Sequence, residues 1–228
     1  MNVLSIIIPA YNEKRSITGV LEQVMGQQVP GWKKEIVVVD DGSTDGTRDI
    51  LRDWEKKVTV IYQKKNGGKG SAVTAGFRAV HGDVVLIQDA DLEYSPKDYP
   101  ALLAPFANER VMVVYGSRFF VLHLSTQFVY QQGNKFVTLM TNILYNTNIT
   151  DMETGYKVFR HDVIRRITIT AKRFDMEPEV TAKILKKGYQ IYEIPISYFG
   201  RKFSEGKKLT WKDGVAALWT LIKYKFVS

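Results

Sequence analysis

The sequence predicts an α/β fold, a mainly parallel sheet flanked by helices, with an amphipathic helix at the C-terminal end. Three observations carry this expectation. Through residue 118, short apolar runs alternate with segments of helical period about 10–15 residues long, the pattern of right-handed βαβ units. The run Val84-Val85-Leu86-Ile87 has no polar position, as expected of a strand covered on both faces. The acidic and glycine-rich segments fall where the runs end, the side on which open α/β sheets hold their ligands.

In order, residues 3–8 read as the first strand. Residues 13–25 read as a helix, with Ile17, Val20, Leu21 and Val24 at helical spacing. A second strand is expected at 35–39, then a helix over 44–55 with Ile50, Leu51 and Trp54 inward. A third strand spans 58–62, and Val73, Phe77 and Val80 mark one face of a helix over 69–80. The fourth strand is 84–87, followed by a helix over 96–106 and a fifth strand at 111–115. Past Arg118 the pattern changes, because residues 119–130 are aromatic and aliphatic without a period. A helix is expected over 127–145, strands at 156–159 and 189–196, a helix over 178–187, a basic loop over 201–208 and a last helix over 210–226.

The 228 residues suit one sizeable domain, and 45% apolar residues suit a globular core. The absence of cysteine excludes disulfides and thiolate chemistry. The apolar run at 3–8 has no basic residue before it and is too short for a signal peptide, and no apolar run approaches the ~18–20 residues of a membrane span. Net charge is +8, and residues 196–228 hold seven Lys/Arg against two acids. Such a tail suits an anionic partner: nucleic acid, phosphate or an acidic membrane surface. No recognition helix or RNA-binding aromatic signature is present, so no nucleic-acid partner is expected. His81, His123 and His161 lack metal-ligand spacing.

Asp89-Ala90-Asp91 closes the fourth strand. Residues two apart on an extended chain point the same way, so two carboxylates are expected on one side. A hard divalent ion, Mg²⁺ or Mn²⁺, suits such a pair and the substrate phosphates it usually holds. The alternative is a capped strand–helix turn. Pro9-Ala10-Tyr11-Asn12-Glu13 offers an aromatic ring and a carboxylate to a nucleobase, or else a turn with Asn12 as N-cap. Asp40-Asp41-Gly42-Ser43-Thr44-Asp45 offers a carboxylate to a base or ribose, or else a cap from Ser43, Thr44 or Asp45. Asn66-Gly67-Gly68-Lys69-Gly70-Ser71 lacks P-loop spacing and reads as a flexible turn with Lys69 as an anion contact at a helix start.

These motifs, in this order and at these strand ends, resemble family 2 glycosyltransferases of the nucleotide-diphosphosugar transferase (GT-A) fold, a Rossmann-like architecture. Gly116-Ser117-Arg118 and Thr154-Gly155-Tyr156-Lys157 are similar to the dolichyl/polyprenyl-phosphate mannose or glucose synthase branch. The resemblance implies that Pro9, Tyr11, Glu13, Val39 and Asp41, with Asp40 and Ala90 beside them, line the nucleoside pocket. It implies Asp89 and Asp91 on the metal, Glu93 as a further ligand where the family often has Gln, and Arg118 near the transferred phosphate. The branch arginine about twenty residues before Asp151 is replaced by Gln131, with Lys135 nearby to compensate. Residues 201–208 resemble a mobile loop closing over the phosphates through Arg201, Lys207 and Lys208. On this reading residues 1–208 are the catalytic domain, with 1–118 taking the nucleotide sugar and 119–208 the acceptor, and 209–228 are an amphipathic helix.

The reaction implied moves a hexose from a donor of GDP-mannose or UDP-glucose type to a polyprenyl phosphate, with inversion, at the cytoplasmic membrane face. A phosphate monoester is mostly dianionic at neutral pH and needs no base, but it needs cations between itself and the donor; Arg118, Lys135, Arg201, Lys207 and Lys208 are the candidates. An acceptor hydroxyl is the alternative, and Asp151 is then the candidate base. Trp211, Val215, Leu218, Trp219, Ile222 and Phe226 share one helical stripe flanked by lysines, the composition of a helix lying on anionic lipid or, alternatively, of one packed on the domain. A magnesium-binding receiver domain is a third reading, but there the Asp pair follows the first strand and the chain is about half as long.

Overall fold

The computed structural model describes residues 1–119, 128–173, 175–200 and 211–227, with the backbone alone at 128–130 and 211–213. Arg201, Lys207 and Lys208 lie outside the described residues. The first part of the chain alternates as expected: β1 (Asn2–Ala10), α1 (Ile17–Gly26), β2 (Trp32–Asp40), α2 (Thr47–Trp54), β3 (Thr59–Tyr62), α3 (Lys69–Ala79) and β4 (Val84–Ile87). The helix expected at 96–106 is three pieces: 3₁₀ turns at Pro96–Asp98 and Ala104–Ala107 around α4 (Tyr99–Leu103). Pro105 has no N–H to continue α4 and its ring crowds the preceding turn. Then follow β5 (Val113–Ser117), α5 (Phe128–Tyr145), β6 (Lys157–Arg160), α6 (His161–Arg166), α7 (Met176–Lys186), β7 (Ile191–Pro195) and α8 (Trp211–Phe226). The periodic pattern did not reveal α6, which at six residues is too short to show a period.

The strands form one sheet in the order β3-β2-β1-β4-β6-β5-β7. All neighbours are parallel except those of β6, which runs antiparallel to both β4 and β5. The order turns back at β1, with β2 and β3 on one side and β4 on the other. Ligands of open α/β sheets sit at such a switch point, beyond the carboxyl ends of the strands. The reversed β6 matters for the site. Tyr115 pairs with Lys157 and Leu86 with Val158, so residues just before β6 arrive at the end where β4 and β5 finish.

The β1 side chains alternate between two cores. Leu4, Ile6 and Ile8 pack with Ile17, Leu21 and Leu102 on one face, while Ile7 packs with Val73, Val163 and Val180 on the other. A third cluster joins α5, α7 and α8 through Val137, Ala182, Ala217 and Leu221.

Candidate active site

The loops after β1 and β2 are laced together. Asn12 has a left-handed backbone (φ 55°) and does not cap α1; its side-chain oxygen accepts the Thr44 N–H at 2.8 Å. In return Ser43 Oγ accepts the Asn12 N–H and Thr47 Oγ1 the Glu13 N–H, each at 3.0 Å. Asp45 accepts the N–H of Thr47 at 3.0 Å at the start of α2. Of the residues expected around a nucleoside, Pro9, Tyr11 and Glu13 are partly exposed, whereas Val39, Asp40, Asp41 and Ala90 are buried. Val39 packs into the core with Val37 and Ile7. Asp40 accepts from Arg48 Nε at 2.6 Å and from the amides of Gly42 and Ser43.

The Gly67-Gly68-Lys69-Gly70 turn has its partners within the chain. Its anion is Asp41, whose two oxygens accept the N–H groups of Gly67 and Gly68 at 2.9 and 2.6 Å. The expectation of a flexible turn is corrected: a Cβ on Gly68 (φ 89°) would lie 2.2 Å from the Lys172 carbonyl oxygen, so the loop is pressed against that backbone. Lys69 turns to carboxylates, reaching Asp89 at 2.7 Å and Glu177 at 2.8 Å.

The premise that Asp89 and Asp91 share one side of an extended chain also needs correction. The strand ends at Ile87, and the chain turns at 90–91. Asp91 Oδ1 accepts the Glu93 N–H at 3.2 Å across Leu92, which is left-handed at φ 62°. Glu93 Oε2 accepts the Tyr198 hydroxyl at 2.8 Å, and among the described residues no three His, Cys, Asp or Glu side chains gather as a metal set. Beneath this loop Gln88 Oε1 accepts the hydroxyls of Tyr99 and Tyr156, each at 2.7 Å.

Arg118 and Asp151 meet directly. Arg118 Nε and Nη2 donate to the two Asp151 oxygens at 2.6 and 2.7 Å, the Arg118 N–H adds a third bond at 3.1 Å, and Asn134 Nδ2 a fourth at 2.8 Å. The guanidinium lies 5.0 Å over the Tyr198 ring. Burial alone would raise the Asp151 carboxyl, but the Arg118 charge and these donors hold it below its ordinary value. A carboxylate so occupied is poorly suited to accept a proton from an acceptor hydroxyl. Lys135, expected to stand in for the branch arginine, is exposed with its ammonium 6.0 Å over Phe119; the α5 side chain that reaches Asp151 is Asn134. Glu193 on β7 fixes the approach to Asp151, accepting the N–H groups of Thr150 and Asp151. The buried Lys157 ties down the next turn by donating to the carbonyls of Met152 and Thr154. Sequence patterns gave no sign of Glu177, Asn134 or Glu193 at the site. A Glu in the first turn of a helix ordinarily reads as a partner of the helix dipole.

Residues 5–168 match the family described as glycosyl transferase family 2. The chain is 30% identical over 220 residues to undecaprenyl-phosphate mannosyltransferase of Micrococcus luteus, covering 91% of this chain and 87% of that one. It is 25% identical over 248 residues to UDP-N-acetylglucosamine–dolichyl-phosphate N-acetylglucosaminyltransferase of Methanococcus voltae, covering 98% and 96%. Among solved structures, glucosyl-3-phosphoglycerate synthase from Mycobacterium tuberculosis in complex with UDP superposes with a TM-score of 0.78 at 16% identity, covering 100% of this chain and 81% of that one. The same enzyme in complex with Mn²⁺, UDP and glucosyl-3-phosphoglycerate gives 0.74 at 19% identity, with the same coverage. The family match spans both acidic loops and runs past β6, taking in Asp89, Asp91, Arg118 and Asp151: the chain belongs to glycosyl transferase family 2 and is a glycosyltransferase of the GT-A fold.

Proposed function

We propose that this glycosyltransferase moves a hexose from a nucleoside diphosphate sugar, of GDP-mannose or UDP-glucose type, to a polyprenyl phosphate at the cytoplasmic membrane face. The acidic loop at the β1/β4 switch point carries the reading, and relatives named for undecaprenyl and dolichyl phosphate support the acceptor. Residues 1–118 take the donor, with Tyr11 and Glu13, partly exposed at the mouth of β1, toward the base, and residues 119–208 take the acceptor. A phosphate oxygen of the acceptor attacks the anomeric carbon as the bond to the donor diphosphate breaks, so the nucleoside diphosphate leaves and the configuration inverts.

Asp89 and Asp91 supply hard oxygen donors, and Asp89 already faces a cation, the Lys69 ammonium. A Mg²⁺ or Mn²⁺ that takes one or two carboxylates and completes its shell with phosphate oxygens and water fits that donor set. Once bound, the ion offsets the charge growing on the departing diphosphate. Arg118, oriented by Asp151 and Tyr198, supplies a further cation for the phosphates. Differential scanning fluorimetry against GDP, UDP and ADP, with Mn²⁺ or with EDTA, tests the donor side. One of the nucleotides is expected to raise the melting temperature by several degrees only with Mn²⁺, about 2.7 kcal/mol at a hundred times Kd. An equal rise in EDTA would remove the metal from the reading.

The acceptor side calls for contact with lipid. No helix among the described residues is long and apolar enough to cross a membrane. Instead α8 packs on the domain through Ala217, Leu221 and Tyr224 and turns Trp219 (66% exposed) and Phe226 (79%) outward. Next to it α5 leaves Phe136, Leu139 and Ile143 exposed, again three and four residues apart. Apolar side chains beside Lys223 and Lys225 suit an anionic bilayer surface. Trp219→Ser with Phe226→Ser is expected to weaken binding to phosphatidylglycerol liposomes by about tenfold or more, with the melting temperature little changed. Sedimentation equal to wild type would acquit α8 as the anchor.

A further inference from the structure

Lys69, Asp89 and Glu177 come from three elements: the first residue of α3, the loop after β4 and the first turn of α7. One ammonium stands between two carboxylates, 2.7 Å from Asp89 Oδ1 and 2.8 Å from Glu177 Oε1. Asp89 keeps some exposure at the loop. Glu177 is buried, and its second oxygen, Oε2, has no hydrogen-bond partner. Its charge is therefore spent mainly on cations packed around it, Lys69 first.

We propose that Lys69 and Glu177 are positioning residues that set how strongly Asp89 holds a divalent cation. The inference rests on the reading that Asp89 is a ligand of that ion. Lys69 fixes the carboxylate through Oδ1 and, being a cation already beside it, repels a second one. Glu177 offsets that repulsion and ties α7, in the acceptor half, to the donor loop. Low local polarity makes both effects larger than at a surface, and salt screens them poorly. Lys157 and Glu153 lie close enough to feel the Glu177 charge: burial and that charge push the Glu153 carboxyl up to about 8, and burial brings the Lys157 ammonium down to about 8. Both therefore respond when Glu177 is neutralised, and because each response opposes the charge removed it trims the Glu177→Gln change without reversing it.

The two neutralisations then act in opposite directions, which a merely structural role does not produce. Mn²⁺ binding to the full chain is measured by the electron paramagnetic resonance of the free ion, with GDP or UDP present in separate arms. Lys69→Met is expected to bind Mn²⁺ about tenfold more tightly than wild type, and Glu177→Gln about tenfold more weakly. Asp89→Asn is the reference for the underlying reading and is expected to lose most binding. If Asp89→Asn binds as wild type, the metal reading fails and the inference with it. If Asp89→Asn loses binding while Lys69→Met and Glu177→Gln shift the same way or stay within about twofold, the reading stands and the inference is overturned. Should Lys69→Met not fold, the double variant Lys69→Met/Glu177→Gln sheds both charges at once; it is expected to bind more tightly than Glu177→Gln, and equal or weaker binding overturns the inference.

Discussion

Asp151→Ala is expected to lower the unfolding free energy by about 3–5 kcal/mol and to abolish sugar transfer. Asp151 is fully buried and accepts four hydrogen bonds, three of them from Arg118. Removing it leaves a guanidinium largely shut off from water with no carboxylate to balance it, and breaking one half of a buried pair is the costly direction. For a chain of this length the melting temperature should fall by about 10 °C. Replacing both partners with apolar residues of similar volume, Arg118→Met with Asp151→Leu, should recover most of that loss and none of the activity. Because Arg118 holds the Asp151 carboxyl below its ordinary value, the pair stabilises the fold above the unfolded carboxyl pKa, about 3.9. The contribution is lost as pH falls below that value toward the folded one. Urea midpoints measured from about pH 6 down to pH 2.5 should therefore drop more steeply for wild type than for the double variant. A melting temperature for Asp151→Ala within about 2 °C of wild type would show that the pair carries little.

The same pairing bears on the chemistry. On the proposed function a dianionic acceptor must approach an anionic donor, and Arg118 offers a cation whose charge Asp151 partly offsets. What the pair provides is a guanidinium held in one orientation by two carboxylate oxygens, Asn134 behind them and Tyr198 across its face. That is an oriented set of donors rather than a point charge, and such groups cost little reorganisation when charge moves.

Much of the frame was legible because strands and helices are written in local patterns. The run Val84–Ile87 is apolar and β-branched, and the strand has those bounds. The helix expected from residue 69 begins there, after Gly68 has taken a left-handed backbone. What local pattern does not encode is the partner of a side chain far away in the chain. Lys69 looked like an anion contact because its neighbours are glycines, yet its partners Asp89 and Glu177 lie 20 and 108 residues on. The same distance hid Asn134 and Glu193 behind Asp151. The extended chain expected through Asp89 and Asp91 fails for a different reason, since period two holds only while the chain stays extended and this chain turns just past Asp89. Nor does the run at 156–159 announce that its strand is antiparallel, although that reversal brings residues 151–155 to the site.

Gly155 is where that delivery is tightest, and Gly155→Ala is expected to cut kcat/KM by about a hundredfold while costing about 1–3 kcal/mol of stability. A Cβ there would lie 2.3 Å from Asp89 Oδ2 and 2.8 Å from Tyr94 Cε2. Tyr94 is hemmed in, because its ring packs between Tyr156 and Tyr198 and its hydroxyl accepts the Gly155 N–H at 2.8 Å. The movable neighbour is the Asp89 carboxylate, which must leave the position it holds here. The substitution therefore displaces a proposed metal ligand without touching its chemistry. Gly26→Ala, at the exposed end of α1 with nothing within 4 Å of the new methyl, is the matched control and should leave both quantities nearly unchanged. Mn²⁺ affinity should fall in Gly155→Ala together with kcat/KM, which separates a displaced ligand from a general loosening. If the variant keeps more than about a third of wild-type kcat/KM, the position of Asp89 seen here is not the one the reaction needs.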